Sequence, residues 1–176
     1  MCSPEEDVKI FVPDEEETGV LSEGERSAAE YVAHRENGNL EKTRELGELL
    51  AQTLVGDSRR LREEPFFHQK LVLLSFLAGD ELEAGLSDLI LQKSAVAAMN
   101  RRLEEVSPEI HDIVVDSTAF TMYILNDRQG EGRTEGQVLA QLCDRDDDAA
   151  LIRRGDELSG EYRQLFRDII ESYTFK

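Results

Sequence analysis

The 176-residue chain has no tryptophan, two cysteines and four prolines, and only 20 lysines and arginines against 38 acids. Each shortage excludes something. No apolar run approaches the ~18 residues of a membrane span, so no transmembrane helix is expected. Cys2 and Cys143 cannot build a disulfide framework, which points to a reducing cytoplasm. The first residues, Met1 to Asp7, show neither a basic nor an apolar stretch, so no secretory leader is expected. No long linker interrupts the sequence, and a single domain is the expectation at roughly 100–200 residues per domain. The scarcity of bases leaves a net charge of −18. An acidic surface repels phosphate backbones and anionic lipid alike, so neither nucleic acid nor a membrane is the expected partner.

What is present is apolar periodicity and unevenly spread acid. Residues 1–25 hold nine acids against Lys9 alone, so this stretch carries −8 of the −18. Residues 1–21 read as an acidic arm, partly flexible or docked. At its centre Val8 to Val12 is a short extended run closed by Pro13, and Ile10 and Phe11 would gain by leaving water. From residue 22 to 176 the signals are those of one all-α domain of about seven helices in αα-hairpins. Ser22 with Glu25 fits a capping box, and Asn37–Gly38–Asn39 separates the first helix from a stripe through Thr43, Leu46, Leu50 and Leu54. Gly56 predicts an end to that helix, with a short turn following through Arg62. Pro65 predicts the start of the next helix, and Gly79–Asp80 its end. Its run Leu71–Val72–Leu73–Leu74 with Phe76–Leu77 is apolar on nearly all sides, as in a helix surrounded by others or a buried strand, and the ~13-residue length with good helix formers favours helix.

A helix through Leu86, Leu89, Ile90, Lys93, Val96, Ala97, Asn100 and Leu103 follows. Ser107–Pro108–Glu109 opens another, predicted to run about 18 residues despite its β-branched content. Thr134 with Gln137 resembles a second capping box. The last helix carries Leu151, Leu158, Tyr162, Leu165, Phe166, Ile169, Ile170 and Tyr173 at spacings of three, four and seven. The stripe through Tyr162, Phe166 and Tyr173 is read as core.

Gly38–Asn39–Leu40–Glu41–Lys42–Thr43–Arg44–Glu45–Leu46 resembles the turn and second-helix start of a tetratricopeptide-type hairpin. Gly79–Asp80–Glu81–Leu82–Glu83–Ala84–Gly85–Leu86 carries a similar pattern 41 residues on. The resemblance covers about a quarter of the chain and departs from the family's ~34-residue period. It implies peptide or protein binding on a helical groove, without catalysis.

Candidate chemistry is sparse. No nucleophile-elbow pattern exists, and Cys143 and His111 could meet only by accident of folding. Glu30 with His34 and Glu64 with His68 stand four apart, whereas helical di-iron sites use Glu-x-x-His with two further glutamates. These read as surface ion pairs. Asp144, Asp146 and Asp148 mimic the first ligands of a Ca²⁺ loop, but Ala149 and Gly155 replace its required glycine and bidentate glutamate. Gly130–Glu131–Gly132 follows no strand, and Glu131 would repel phosphate. Glu45–Leu46–Gly47–Glu48 and Glu109–Ile110–His111–Asp112 are similar to the Glu-x-x-Glu and Glu-x-x-Asp pairs of helical nucleotide pyrophosphohydrolases. That likeness implies Mg²⁺ on Glu45, Glu48, Glu109 and Asp112.

The leading expectation is a non-catalytic helical protein without metal or cofactor. It acts by contact with a protein of basic surface or with a second copy, through arm residues Ile10 and Phe11. The Mg²⁺-dependent pyrophosphohydrolase is the alternative.

Overall fold

The computed structural model describes residues 22–115, 118–130 and 132–176. The arm with Ile10 and Phe11 lies outside them. The described residues form eight helices: α1 Glu23–Glu36, α2 Asn39–Leu61, α3 Phe67–Gly85, α4 Leu89–Val106, α5 Pro108–Val115, α6 Thr118–Gln129, α7 Glu135–Leu142 and α8 Ala149–Glu171. The fold is all-α.

The helix starts follow the capping chemistry read from the sequence. The Ser22 hydroxyl accepts from the Glu25 N–H while the Glu25 carboxylate accepts from the Ser22 N–H at 2.8 Å. Thr134 and Gln137 repeat the arrangement at α7. The carboxylates of Asp88 and Asp148 each accept two backbone N–H groups at the starts of α4 and α8. Gly38 adopts φ 80°, a left-handed turn that lets α2 follow α1 across only two linking residues, 37 and 38.

α3 is the hub. Every residue from Lys70 to Ala78 is buried, and the helix packs on α2, α4, α5, α6, α7 and α8. α2 lies along α4, closest at Gly47, where an added Cβ would sit 2.2 Å from the Ala95 carbonyl oxygen. α7 lies on α8 in the same manner. A Cβ on Gly136 would stand 2.1 Å from the Ile152 oxygen, and the Gly136 N–H donates to the Asp156 carboxylate at 2.9 Å. Tyr162 and Phe166 are buried core, and Tyr173 is half-buried.

Six boundaries differ from the sequence reading. Leu86 caps α3 and lies before α4, which starts at Leu89, and Tyr173 lies past the end of α8 at Glu171. α2 runs through Gly56, because its buried face continues on either side with Leu54, Ser58 and Leu61. α3 runs through Gly79–Asp80 for the same reason, with Leu77, Ala78, Glu81 and Leu82 all buried. A mid-helix glycine costs only ~1 kcal/mol against alanine, less than the burial on both sides returns. α3 begins two residues past Pro65, since Phe66 is left-handed at φ 59°. The single helix expected after Ser107 is two, α5 and α6, parted after the β-branched end Ile113–Val114–Val115.

Candidate functional site

The residues singled out in the sequence are dispersed. Glu45 is exposed on α2. Glu48 pairs with Arg101 at 3.4 Å, and Glu109 with Arg62 at 2.5 Å. The Asp112 side chain is 76 % exposed beside His111. Among the described residues no group of three or more His, Cys, Asp or Glu side chains could hold a metal ion. Glu45, Glu48, Glu109 and Asp112 therefore do not converge. Asp148 spends its carboxylate on the α8 cap. The Cys143 thiol is pushed up to about 11 by burial, far from the thiolate that nucleophilic chemistry needs.

Nor do the Glu–His pairs face each other. Asn39 is fully buried, and its amide N–H groups reach His34 Nδ1 at 3.1 Å and the Lys176 carbonyl at 2.8 Å. Its Oδ1 accepts from the Lys176 N–H at 3.0 Å. With Nδ1 as acceptor, His34 donates from Nε2 to Asp88 at 2.9 Å. Burial alone would raise the Asp88 carboxyl. The bonds from His34, Leu91 N–H and Ile90 N–H outweigh it and hold the carboxyl below its usual range. Glu64 accepts from buried Lys70 at 2.6 Å and, through both oxygens, from Arg154 at 2.6 and 3.1 Å. The Arg154 fork holds Glu64 down to about 2.

A further network ties α3 to α7 and α8. Arg163 donates to Asp80, to Glu81 at 3.1 Å and to Glu135 at 2.7 Å, and Arg167 reaches Glu81 with both nitrogens at 3.2 Å. These ion pairs tie α3 to α7 and α8.

The surface offers an apolar groove over the second half of α3, with α4 on one side and α6 on the other. It consists of two hollows of about 380 and 470 Å³ that meet at Gly79, Glu83 and Val96. α4 contributes Lys93, Val96, Ala97 and Asn100, spaced as one helical stripe. α6 contributes Phe120 and Ile124 one turn apart. The floor is Gly79, with nothing within 4 Å of where its Cβ would point. Glu83, Asp127, Lys93 and Arg128 rim the opening. Other exposed apolar side chains, such as Tyr31, Leu89 and Val115, lie on separate helices.

The chain matches no protein-family model, no curated protein and no solved structure. No helix among the described residues is long and apolar enough to cross a membrane.

The sequence reading named the α4 stripe as a helix face but assigned it no role. The i, i+3, i+4, i+7 spacing of Lys93, Val96, Ala97 and Asn100 was visible. That the stripe lacks a covering helix depends on how α4 and α6 straddle α3, which periodicity does not encode.

Proposed function

We propose that this protein works by protein–protein contact, with the groove over α3 receiving an apolar helical segment of a basic partner. The observation that supports this reading is the open trough formed by Gly79, Val96, Ala97, Phe120 and Ile124 on three helices. A one-helix-wide apolar trough is what an amphipathic helix docks into, using anchors at i, i+3 or i+4, and i+7. The net charge of −18 favours encounter with a basic partner and disfavours acidic ones. The contact is of the kind that the tetratricopeptide-like turns imply, and Ile10 and Phe11 of the arm are proposed as a second element of it. Nothing in the arrangement of Glu45, Glu48, Glu109 and Asp112 favours the pyrophosphohydrolase reading.

The test is a displayed library of peptides of varied charge, roughly 12 to 20 residues long, which is about three to six turns of helix. Selected peptides are expected to combine helical apolar spacing with lysine or arginine. They should lose binding to the Val96→Glu, Ile124→Glu double variant and keep it with Leu89→Glu on the exposed side of α4. Binders indifferent to the groove substitutions would refute the reading. Binders that lose affinity only on deletion of residues 1–21 would move the contact to Ile10 and Phe11.

A further inference from the structure

Residues 172–176 lie against the α1–α2 junction in the manner of a bound peptide. α8 ends at Glu171, and the chain then crosses as a strap to the start of α2. There the fully buried Asn39 pairs with both backbone groups of Lys176: Nδ2 donates to its oxygen at 2.8 Å, and Oδ1 accepts from its N–H at 3.0 Å. Lys42 donates from Nζ to the Thr174 carbonyl at 2.6 Å, and Asn37 Nδ2 reaches the Lys176 oxygen at 3.4 Å. Each of these bonds meets a backbone atom of the strap, so none of them reads a side chain. Burial along the strap alternates: Tyr173 and Phe175 are half-buried against the core, whereas Ser172, Thr174 and Lys176 are exposed. That is the period of an extended chain with two side chains seated.

The receiving side is braced by groups outside the strap. Asn39 Nδ2 also donates to His34 Nδ1 at 3.1 Å, and His34 is anchored by Asp88 at 2.9 Å. The amide is thus held from behind, by α1 and the cap of α4, with one N–H and its oxygen turned to the strap. The strap itself is lightly bound. The Tyr173 N–H still donates to the Ile170 carbonyl at 3.1 Å, but beyond it three residues hang on the bonds above and on the Phe175 ring. Segments with few buried contacts open at low free energy. Opening strips Asn39 of both strap partners at once, which favours their replacement by another backbone. Burial, and after it the nearby Glu45 carboxylate, raise the Tyr173 hydroxyl, so the seat of this ring borders an acid.

Main-chain bonds that supply affinity, with seats for alternate side chains that supply specificity, are how extended peptides are recognised. We propose that Asn37, Asn39 and Lys42 form a binding site for an extended peptide with two aromatic residues one position apart, filled here by the chain's own residues 173–176. The strap is an internal ligand, and a partner segment of the same pattern exchanges with it. The partner segment is basic beside its aromatics, as Lys176 is beside Phe175, because Glu45 borders the first ring and the chain carries −18. A second copy of the whole chain is a poor donor, since two bodies of −18 repel. The site lies on α1 and α2, apart from the trough of Gly79, Val96, Phe120 and Ile124, and it takes an extended chain in place of a helix.

The test is fluorescence polarisation of a labelled peptide copying residues 172–176, titrated with the full chain. In the wild type the strap competes at an effective concentration on the order of millimolar. Tyr173→Gly with Phe175→Gly, made in the full chain, loosens the strap and leaves Asn37, Asn39 and Lys42 in place. The peptide is expected to bind this variant one-to-one and at least ~10-fold more tightly than the wild type. Adding Lys42→Met removes the donor to the middle carbonyl and should cost a further ~3–10-fold. A peptide with alanine for both aromatics should not bind, and Val96→Glu in the groove should change nothing. Equal affinity for the wild type and the loosened variant would overturn the proposal, as would no binding at about 1 mM by a loosened variant that keeps its helical circular dichroism. Hydrogen exchange on the wild type needs no variant. Unlabelled peptide at ~5 mM, above the effective concentration of the strap, should accelerate exchange of the Lys176 amide, and unchanged exchange there would overturn the proposal as well.

Discussion

Gly47→Ala should destabilise the protein, against the usual sign for that substitution in a helix. In an exposed helix interior, alanine for glycine stabilises by ~1 kcal/mol through propensity and a narrower unfolded ensemble. At Gly47 the new methyl would lie 2.2 Å from the Ala95 oxygen, 2.8 Å from the Met99 nitrogen and 2.9 Å from the Ala98 Cβ. Two of these are backbone atoms of α4, so no rotamer change relieves the clash. The helices must part by ~1 Å, a gap that forfeits a quarter to a half of each dispersion contact across the seam. That seam includes Leu46, Leu50 and Leu54 on α2 and Leu91, Ala95 and Met99 on α4, all in the core. Overpacking of this sort costs ~1–3 kcal/mol or more, and the net after the propensity gain is a loss of about 2 kcal/mol. Gly56→Ala is the internal control, because it lies on the same helix with nothing within 4 Å of its Cβ position. It should gain ~0.5–1 kcal/mol. Thermal unfolding followed by circular dichroism at both positions reads the pair, and the two melting temperatures should diverge by roughly 5–10 °C at this chain length. If Gly47→Ala melts with Gly56→Ala, the tight α2–α4 approach is wrong.

Two further outcomes follow from the buried polar groups. Asn39→Ala strips His34 and both backbone groups of Lys176 of their partner. It should cost ~2–3 kcal/mol, with hydrogen exchange accelerating in α1 and near Lys176 before the rest; uniform acceleration would count against a local strap. Glu64, depressed by Arg154 to about 2, contributes stability that is complete above its unfolded value of about 4.5 and drains away as the pH falls toward 2. A shift of that size corresponds to about 3 kcal/mol, or ~1–2 once solvent screening of the partly exposed pair is allowed for. Arg154→Met should therefore flatten the stability curve between pH 5 and pH 2, and urea melts at pH 7, 5 and 3 with an unchanged slope would contradict the pairing.

Much of the fold was legible because the local signals agreed with the global one. Ser22–Glu25 and Thr134–Gln137 are reciprocal caps that work within four residues, so tertiary context hardly alters them. The apolar run about Leu71 to Leu77, broken only by Ser75, pointed to a buried element, and its length and helix formers decided for helix. Gly56 and Gly79 misled for the opposite reason: their local cost is real but smaller than the burial of Ser58, Leu61, Glu81 and Leu82 beyond them. The Glu–His and Glu–Glu spacings misled because a spacing states which residues share a helix face, not which helix that face meets. His34 meets Asp88 and Asn39, and Glu64 meets Lys70 and Arg154, at sequence separations from 5 to 90 residues.

The acidity of the chain has two components that behave differently. Inside, carboxylates are matched: Glu81 by Arg163 and Arg167, Glu64 by Lys70 and Arg154, Asp80 and Glu135 by Arg163. A buried carboxylate costs several kcal/mol unless matched in this way, so these pairs hold α3, α7 and α8 in register without adding to the field outside. The excess that makes up −18 is then carried by exposed groups such as Glu45, Glu83, Asp112 and Asp127 and by the arm. Exposed charge acts over a Debye length of about 8 Å at physiological salt, far enough to bias which partners approach the groove but too weakly to hold one there. Retention must come from the apolar stripe of α4 and the Phe120–Ile124 face of α6. A basic helix entering the groove is drawn by a screened field and gripped by apolar area.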